Sequence, residues 1–199
     1  MTDELVPTQN NDPELVARTQ GGDPTAFDEL VVRYTPRLYG LIYNMTSNHE
    51  DTNDLLQDVF AKAYRSICSF RGKSSFSTWM HSIAVNMSTN LLKKRKRRQH
   101  PSLNDPDSSI ENDPDFIAAT SRGDPLNEIS IHELQKKLNA AMGKLSHDHR
   151  AVVTMFDIQG TPHSEIAKIL GVSEGTVRSR LFYAHRQLQN SLHEFKKSQ

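Results

Sequence analysis

The run Thr161-Pro-His-Ser-Glu-Ile-Ala-Lys-Ile-Leu-Gly-Val-Ser-Glu-Gly-Thr-Val-Arg-Ser-Arg-Leu181 constrains the fold more than any other stretch. It holds two helical periods separated by one glycine. Thr161 can cap a helix that opens at Pro162, where a missing N–H costs nothing. Ile166, Ala167 and Leu170 share one face of that helix. Gly171 tolerates the left-handed conformation that ends helices. Ser173 can cap a second helix whose inward face is Val177 and Leu181, with Arg178 and Arg180 directed elsewhere. Two short helices about a glycine turn, with basic residues near the start of the second, are the parts of a helix-turn-helix that reads a major groove. An ordinary helical hairpin is the bland alternative.

The rest of the chain is also helical in pattern. Residues 1–23 read as an N-terminal tail. Asp23 can cap a helix with Pro24 at its first position, and Phe27, Leu30, Val31, Tyr34, Leu38, Leu41 and Ile42 follow at helical spacing. Pro36 inside this pattern predicts a kink or break. Thr46-Ser47-Asn48 reads as a turn. A second helix is expected from about Glu50 to Ile67, and a third from near Ser75 into Lys93-Lys-Arg-Lys-Arg-Arg98. Periodicity vanishes from Pro101 to about Pro125, where Pro, Asp, Asn and Ser dominate, a linker composition. Four further helices are expected at roughly 126–144, 147–158, 162–170 and 174–195. Strands have almost no support. The expected fold is all-α: a first domain at 24–100, a flexible acidic linker at 101–125 and a second domain at 126–199.

The formal net charge is zero, but the charges are partitioned. Residues 1–58 hold eleven acids and three bases, and residues 59–100 hold ten bases and no acid. Residues 101–133 hold eight acids and one base, and residues 134–199 hold ten bases and five acids. Two basic blocks separated by an acidic segment suggest two contacts with a polyanion and a connector that avoids it. A single cysteine, Cys68, excludes a disulfide framework and agrees with a reducing compartment. No apolar run is long enough to span a membrane, and the polar, acidic start is unlike a signal peptide.

The third helix combines aromatics (Phe70, Phe76, Trp79), small polar residues (Ser74, Ser75, Ser77, Thr78, Asn86) and a basic tail. Single-stranded nucleic acid is bound by such a mixture, in which cations track phosphates and aromatic or polar pockets take unstacked bases. Trp79 alone reads as core rather than as a stacking platform. On the second helix Asp51, Asp54 and Asp58 form one acidic stripe with Gln57 beside it. Carboxylates repel DNA, so a functional stripe would meet a basic protein surface; a solvated face is the alternative.

Asp54-Leu-Leu-Gln-Asp-Val-Phe60, Phe70-Arg-Gly, Ser75-Phe-Ser-Thr-Trp79, Ile83-Ala-Val-Asn86 and Gly175-Thr-Val-Arg-Ser-Arg180, in this order, resemble the extracytoplasmic-function class of bacterial RNA polymerase sigma factors. The resemblance covers about residues 25–98 and 130–193. It implies that Asp54, Leu55, Gln57, Asp58 and Phe60 dock on the beta-prime clamp helices of core polymerase. It implies −10 DNA contacts from Phe70, Arg71, Ser74, Ser75, Phe76, Trp79 and Asn86, the last near a flipped base. Lys93, Lys94, Arg95, Arg97 and Arg98 would hold the adjacent backbone. It implies −35 contacts from Ser173, Glu174, Gly175, Thr176, Arg178, Ser179 and Arg180, with Arg186 reaching a phosphate. The implied partners are core polymerase, including its beta flap, promoter DNA and an anti-sigma factor that often holds the two domains compact. The protein would be cytoplasmic, without cofactor or catalysis. One departure is Asp51-Thr-Asn-Asp54, where the family often has alanine followed by an acid.

Two rival readings remain. A stand-alone helix-turn-helix regulator would explain the C-terminal block and leave the third helix unexplained. A metal-dependent nuclease lacks a ligand cluster, since His147 and His149 stand two apart and do not share a helix face.

Overall fold

The computed structural model describes residues 11–99 and 137–197, and of residues 98, 99 and 193–197 only the backbone. Residues 1–10 of the expected tail, the acidic linker and residues 126–136 of the second domain lie outside the described residues. Every regular element among those described is helical. They are α1 (Asp12–Gln20), α2 (Pro24–Thr46), α3 (His49–Ser66), a 3-10 turn (Ile67–Ser69), α4 (Phe76–Gln99), α5 (137–144), α6 (His147–Val153) with a π turn (Thr154–Ile158), α7 (His163–Leu170) and α8 (Glu174–Lys197).

Helix α1 lies within the stretch read from sequence as a tail. It has a proline in its first turn and buries Leu15, Val16 and Thr19 against α2. Its anchor is polar: buried Asp12 accepts from the Tyr34 hydroxyl and from Arg33 on α2. Burial, then the bond to Asp12, pushes the Tyr34 phenol well above its ordinary value. At the far end of α1, Gln20 donates to the carbonyls of Ile67 at 2.8 Å and Phe70 at 2.9 Å, fixing the turn that leads into α4.

Asp23 caps α2 by accepting from the Thr25 N–H at 2.9 Å, and Arg18 pairs with it at 2.7 Å. The Thr25 hydroxyl, then Arg18, holds this carboxyl down to about 2, so the cap stays charged through any ordinary pH. Of the kink or break expected at Pro36, the break does not occur. The helix runs through it, because Pro36 and Val32 both lie on the solvent face, away from the packed side of the helix. Helix α2 ends at Ser47, in the left-handed region at φ 55°, and Asn48 then caps α3 through the Asp51 N–H. Leu30, Leu38, Leu41, Ile42, Val59 and Met80 are fully buried where α2, α3 and α4 meet.

The second bundle packs α6 and α7 on α8, through Val152, Ile166 and Val177, all with no exposed surface. Gly171 adopts φ 65° and ends α7, and Ser173 caps α8 through the Thr176 N–H at 3.1 Å. Thr161 does not cap α7. The helix begins one residue later than the sequence suggested, with extended Pro162 at the cap position and no side-chain bond there.

The bundles meet along a seam. Helix α2 lies against α6 and the π turn, and α4 lies against α7. Buried Arg150 donates to the Met45 carbonyl at 2.6 Å and to Gly143 at 2.8 Å. Gln159 donates to the Arg37 carbonyl at 2.8 Å, and Thr78 donates to Glu165 at 3.1 Å.

Asp12→Ala would strand the Tyr34 hydroxyl and loosen Arg33. It is expected to lower the unfolding free energy in urea by about 2–3 kcal/mol, against about 1 kcal/mol for Tyr34→Phe. Equal effects of the two would mean that Asp12 contributes nothing beyond the tyrosine bond.

Candidate nucleic-acid interface

Helix α4 is set by a serine cap. The Ser75 hydroxyl accepts from the Thr78 N–H at 3.0 Å and lies 2.7 Å from the Thr78 hydroxyl. Ser75 therefore starts the helix, and its oxygen is already engaged. Phe76 is 4% exposed and belongs to the core. Its ring meets Trp79 at 5.6 Å and Phe70 at 5.7 Å, and Phe70 meets Trp79 at 5.1 Å. The three rings form one cluster beneath the loop carrying Arg71, Gly72 and Lys73, all exposed, with Ser74 half-buried. The aromatics expected to face bases are thus, in this conformation, the floor that supports the loop.

Past this cluster α4 presents a polar face. Asn86, Asn90, Lys93, Lys94 and Arg97 are exposed, and Asn90 lies one turn beyond Asn86 on the same side. Sequence reading passed over Asn90, although its i, i+4 spacing from Asn86 was visible. Arg95 is less free than its neighbours, because its guanidinium pairs with Asp51 of α3. The Arg98 side chain lies outside the described atoms.

That pairing also edits the acidic stripe. Asp51 turns toward α4 and its side chain is 13% exposed, leaving Asp54, Gln57 and Asp58 as the free face of α3. Leu55 and Phe60 are buried at 7% and 9% exposure and hold α3 to the bundle.

On α8 the first turn is solvent-facing. Glu174, Gly175, Arg178 and Ser179 are exposed, while Thr176 is half-buried with its hydroxyl 2.9 Å from Ser173. Arg178 pairs with Glu174 at 3.2 Å, and both side chains stay largely exposed at 66% and 48%. Such a pair is worth little and exchanges readily. Arg180 is different. It turns toward α6 and pairs with Asp148 at 2.5 Å with its side chain 24% exposed, so it ties the recognition helix to the bundle. Arg186 is exposed, as are Phe182 and Tyr183, whose rings stand 5.5 Å apart.

Sequence reasoning missed the residues of the seam, Arg150, Gln159, Glu165 and His81. No local signal marks them, since each acts on a partner at least 87 residues away or, for His81, is buried beside one. Among the described residues, no group of three or more His, Cys, Asp or Glu could hold a metal ion. No helix there is long and apolar enough to cross a membrane.

Comparison with known proteins matches these two bundles separately. Residues 30–98 match Sigma-70 region 2 and residues 135–188 match Sigma-70, region 4. The chain is 34% identical over 190 residues to the RNA polymerase sigma-H factor of Pseudomonas aeruginosa, covering 93% of this chain and 95% of that one. It is 37% identical over 185 residues to the ECF RNA polymerase sigma-E factor of Escherichia coli K12, covering 92% and 95%. Among solved structures it is similar to the sigma factor RpoE in complex with the anti-sigma factor NepR from Bartonella quintana. The TM-score is 0.66 at 25% identity, over 84% of this chain and 96% of that chain.

Trp79→Ala is expected to cost about 3 kcal/mol of unfolding free energy in urea, as removal of a packed aromatic does. A stability change below about 0.5 kcal/mol would mark Trp79 as a surface platform instead.

Proposed function

This chain belongs to the extracytoplasmic-function class of RNA polymerase sigma factors, and from that premise we propose that it is an alternative sigma factor. It binds core polymerase, recognises a −10 and a −35 promoter element, and promotes melting and initiation. The bond chemistry is the polymerase's, and this chain supplies none. One observation carries the reading: a single chain pairs a region 2 bundle that exposes Asn86 ahead of a basic tail with a region 4 helix-turn-helix that exposes Arg178.

In this reading the two regions divide the work. Asp54, Gln57 and Asp58 meet the clamp helices of the beta-prime subunit, with Leu55 and Phe60 holding α3 in register. Arg71, Ser74 and Asn86 meet the melted −10 strand. Extruding a base costs a few kcal/mol, which phosphate contacts from Lys93, Lys94 and Arg97 help to offset. Burial of Phe76 and the packing of Trp79 support a scaffolding part for both. On the duplex, Arg178 is the candidate for bidentate pairing with guanine, and Ser179 and Glu174 stand beside it. The ion pair with Asp148 supports a structural part for Arg180, and the exposure of Arg186 supports a phosphate contact. Elements named for −10 and −35 lie about 25 base pairs apart, or roughly 85 Å of duplex. A chain whose bundles touch cannot read both, so the bundles must part on the promoter.

The Bartonella quintana relative is complexed with an anti-sigma factor, which supports a partner of that kind here. Phe182 and Tyr183, exposed beside each other on α8, offer it or the beta flap an apolar contact.

The test is multi-round transcription with bacterial core polymerase and a randomised promoter library. Transcripts that depend on this protein and share two spaced elements are expected. Tight binding to one duplex by the protein alone, without transcripts, would favour a stand-alone regulator. Asn86→Ala is expected to reduce open-complex formation while core binding persists. Arg178→Ala is expected to weaken discrimination at the upstream element by about 1–3 kcal/mol, read as a flattened base preference at one position.

A further inference from the structure

Two histidines line the seam, and both sit where a positive charge is unwelcome. His81, on α4, is 5% exposed. It borders a cavity of about 150 Å³ between the bundles, together with Arg37, Ser77, Gln159, Thr161 and Glu165. Its Nδ1 lies 2.8 Å from the Ser77 carbonyl, which only accepts, so the ring's ordinary proton resides there and a second would enter at Nε2. Burial pushes this imidazole below its ordinary value. The charged groups facing it are Glu165 from α7, which opposes that shift, and Arg37 from α2, which adds to it.

His147 opens α6 at the other end of the seam. Burial again pushes it down, followed by the cations Arg150 of its own helix and Lys96 and Lys93 of α4; Asp148 opposes them. Arg150 is the residue that donates across the seam to Met45. Both imidazoles therefore stand beside a cross-seam hydrogen bond: His81 beside Thr78–Glu165 and Gln159–Arg37, and His147 beside Arg150–Met45.

The geometry points to a proton-operated latch: with His81 and His147 neutral the bundles stay closed, and when both take up protons the bundles part and free the chain to span two promoter elements. Its value to the protein rests on the sigma-factor reading above, but the latch itself does not. The sign follows from linkage. In the parted chain each imidazole meets water and regains its ordinary value near 6.5. The open form then binds more protons than the closed one, so closure is fully present above that value and is lost as pH falls through it. Two protons set a ceiling: the closed-to-open ratio can fall by at most about a hundredfold per pH unit. The causes of these shifts differ between the two imidazoles. Charge at His147 is opposed by Arg150, Lys93 and Lys96 and favoured by Asp148, whereas charge at His81 is opposed by burial and Arg37 and favoured by Glu165.

The test measures the distance between the bundles in the full chain, so it does not depend on transcription. Exposed Cys68 provides one labelling site and Gln189→Cys, on exposed α8, the other. Energy transfer between them is followed from pH 8 to pH 5.5, with far-UV circular dichroism confirming intact helices. Wild type is expected to lose transfer on acidification. His81→Gln with His147→Gln is expected to hold it across the range, and His147→Gln alone, at a half-buried site that tolerates change, should halve the steepness. Arg150→Met should show low transfer at every pH. Transfer that stays constant in wild type, or a pH profile that His147→Gln and the double variant leave unchanged, would overturn the latch while leaving promoter-dependent transcription unaffected.

Discussion

Arg150 is a guanidinium, 6% exposed, and among the described residues its partners are two main-chain carbonyls and no carboxylate. A buried charge without a counter-ion is normally costly. The location of the carbonyls resolves the difficulty. Met45 lies in the last turn of α2 and Gly143 in the last turn of α5. The last carbonyls of a helix lack an intrahelical donor and carry the negative end of its dipole. Two such ends converge on one cation. Arg150 thus satisfies groups that both bundles would otherwise leave to water, and the relative placement of the bundles depends on it. Burial lowers the pKa of this guanidinium, yet it stays charged under all ordinary conditions.

The rest of the seam has the same character. Thr78, Gln159 and Arg150 make hydrogen bonds across it, alongside a polar cavity bordered by Arg37, His81, Gln159 and Glu165 and an apolar core that runs on from one bundle into the other. Apolar contact alone would be indifferent to small rotations and hard to reverse. Hydrogen bonds fix one geometry, and each has a ready replacement in water, so they add little to the net cost of parting. The π turn at Thr154–Ile158 ends directly before Gln159, which donates to the Arg37 carbonyl.

What the sequence revealed, it revealed through local rules. The caps at Asp23 and Ser173, the stop at Gly171 and the buried faces of α3 and α8 all follow from residues within a few positions of one another. Pro36 does not break α2 because buried residues on both sides of it, Leu30 and Tyr34 before and Leu38 and Leu41 after, hold one continuous helix against the core. Helix α1 was passed over because Leu15 and Val16 are too few to establish a period; its stability comes from Asp12 reaching two residues of α2. At the candidate interface the residue types were legible and their engagement was not. Arg95 and Arg180 read as DNA contacts like their neighbours, and each is claimed by an acid on another helix, Asp51 and Asp148. Charge runs identify a surface, but three-dimensional pairing decides which members of it are free.

Those pairings bear on why such a protein acts with a polymerase and not alone. Arg95, Arg178 and Arg180 each have a carboxylate partner within the chain, and the acids and bases of the whole sequence balance. Non-specific affinity for DNA rises with each phosphate neutralised and counterion released. A cation already paired contributes only the difference between its acid and a phosphate. For an exposed pair such as Arg178–Glu174 that forfeits less than about 1 kcal/mol, little enough for a correctly placed guanine to repay. For random duplex the sum over three arginines is a real loss of affinity. Side chains so paired contribute little to wandering contact with DNA, so the promoter contact proposed for Arg178 would need its placement from a second binding surface. The free acidic face of α3, at Asp54, Gln57 and Asp58, is of the wrong sign for DNA and of the right sign for a basic protein. If the proposed contacts hold, separating the two surfaces by charge makes recognition conditional on assembly.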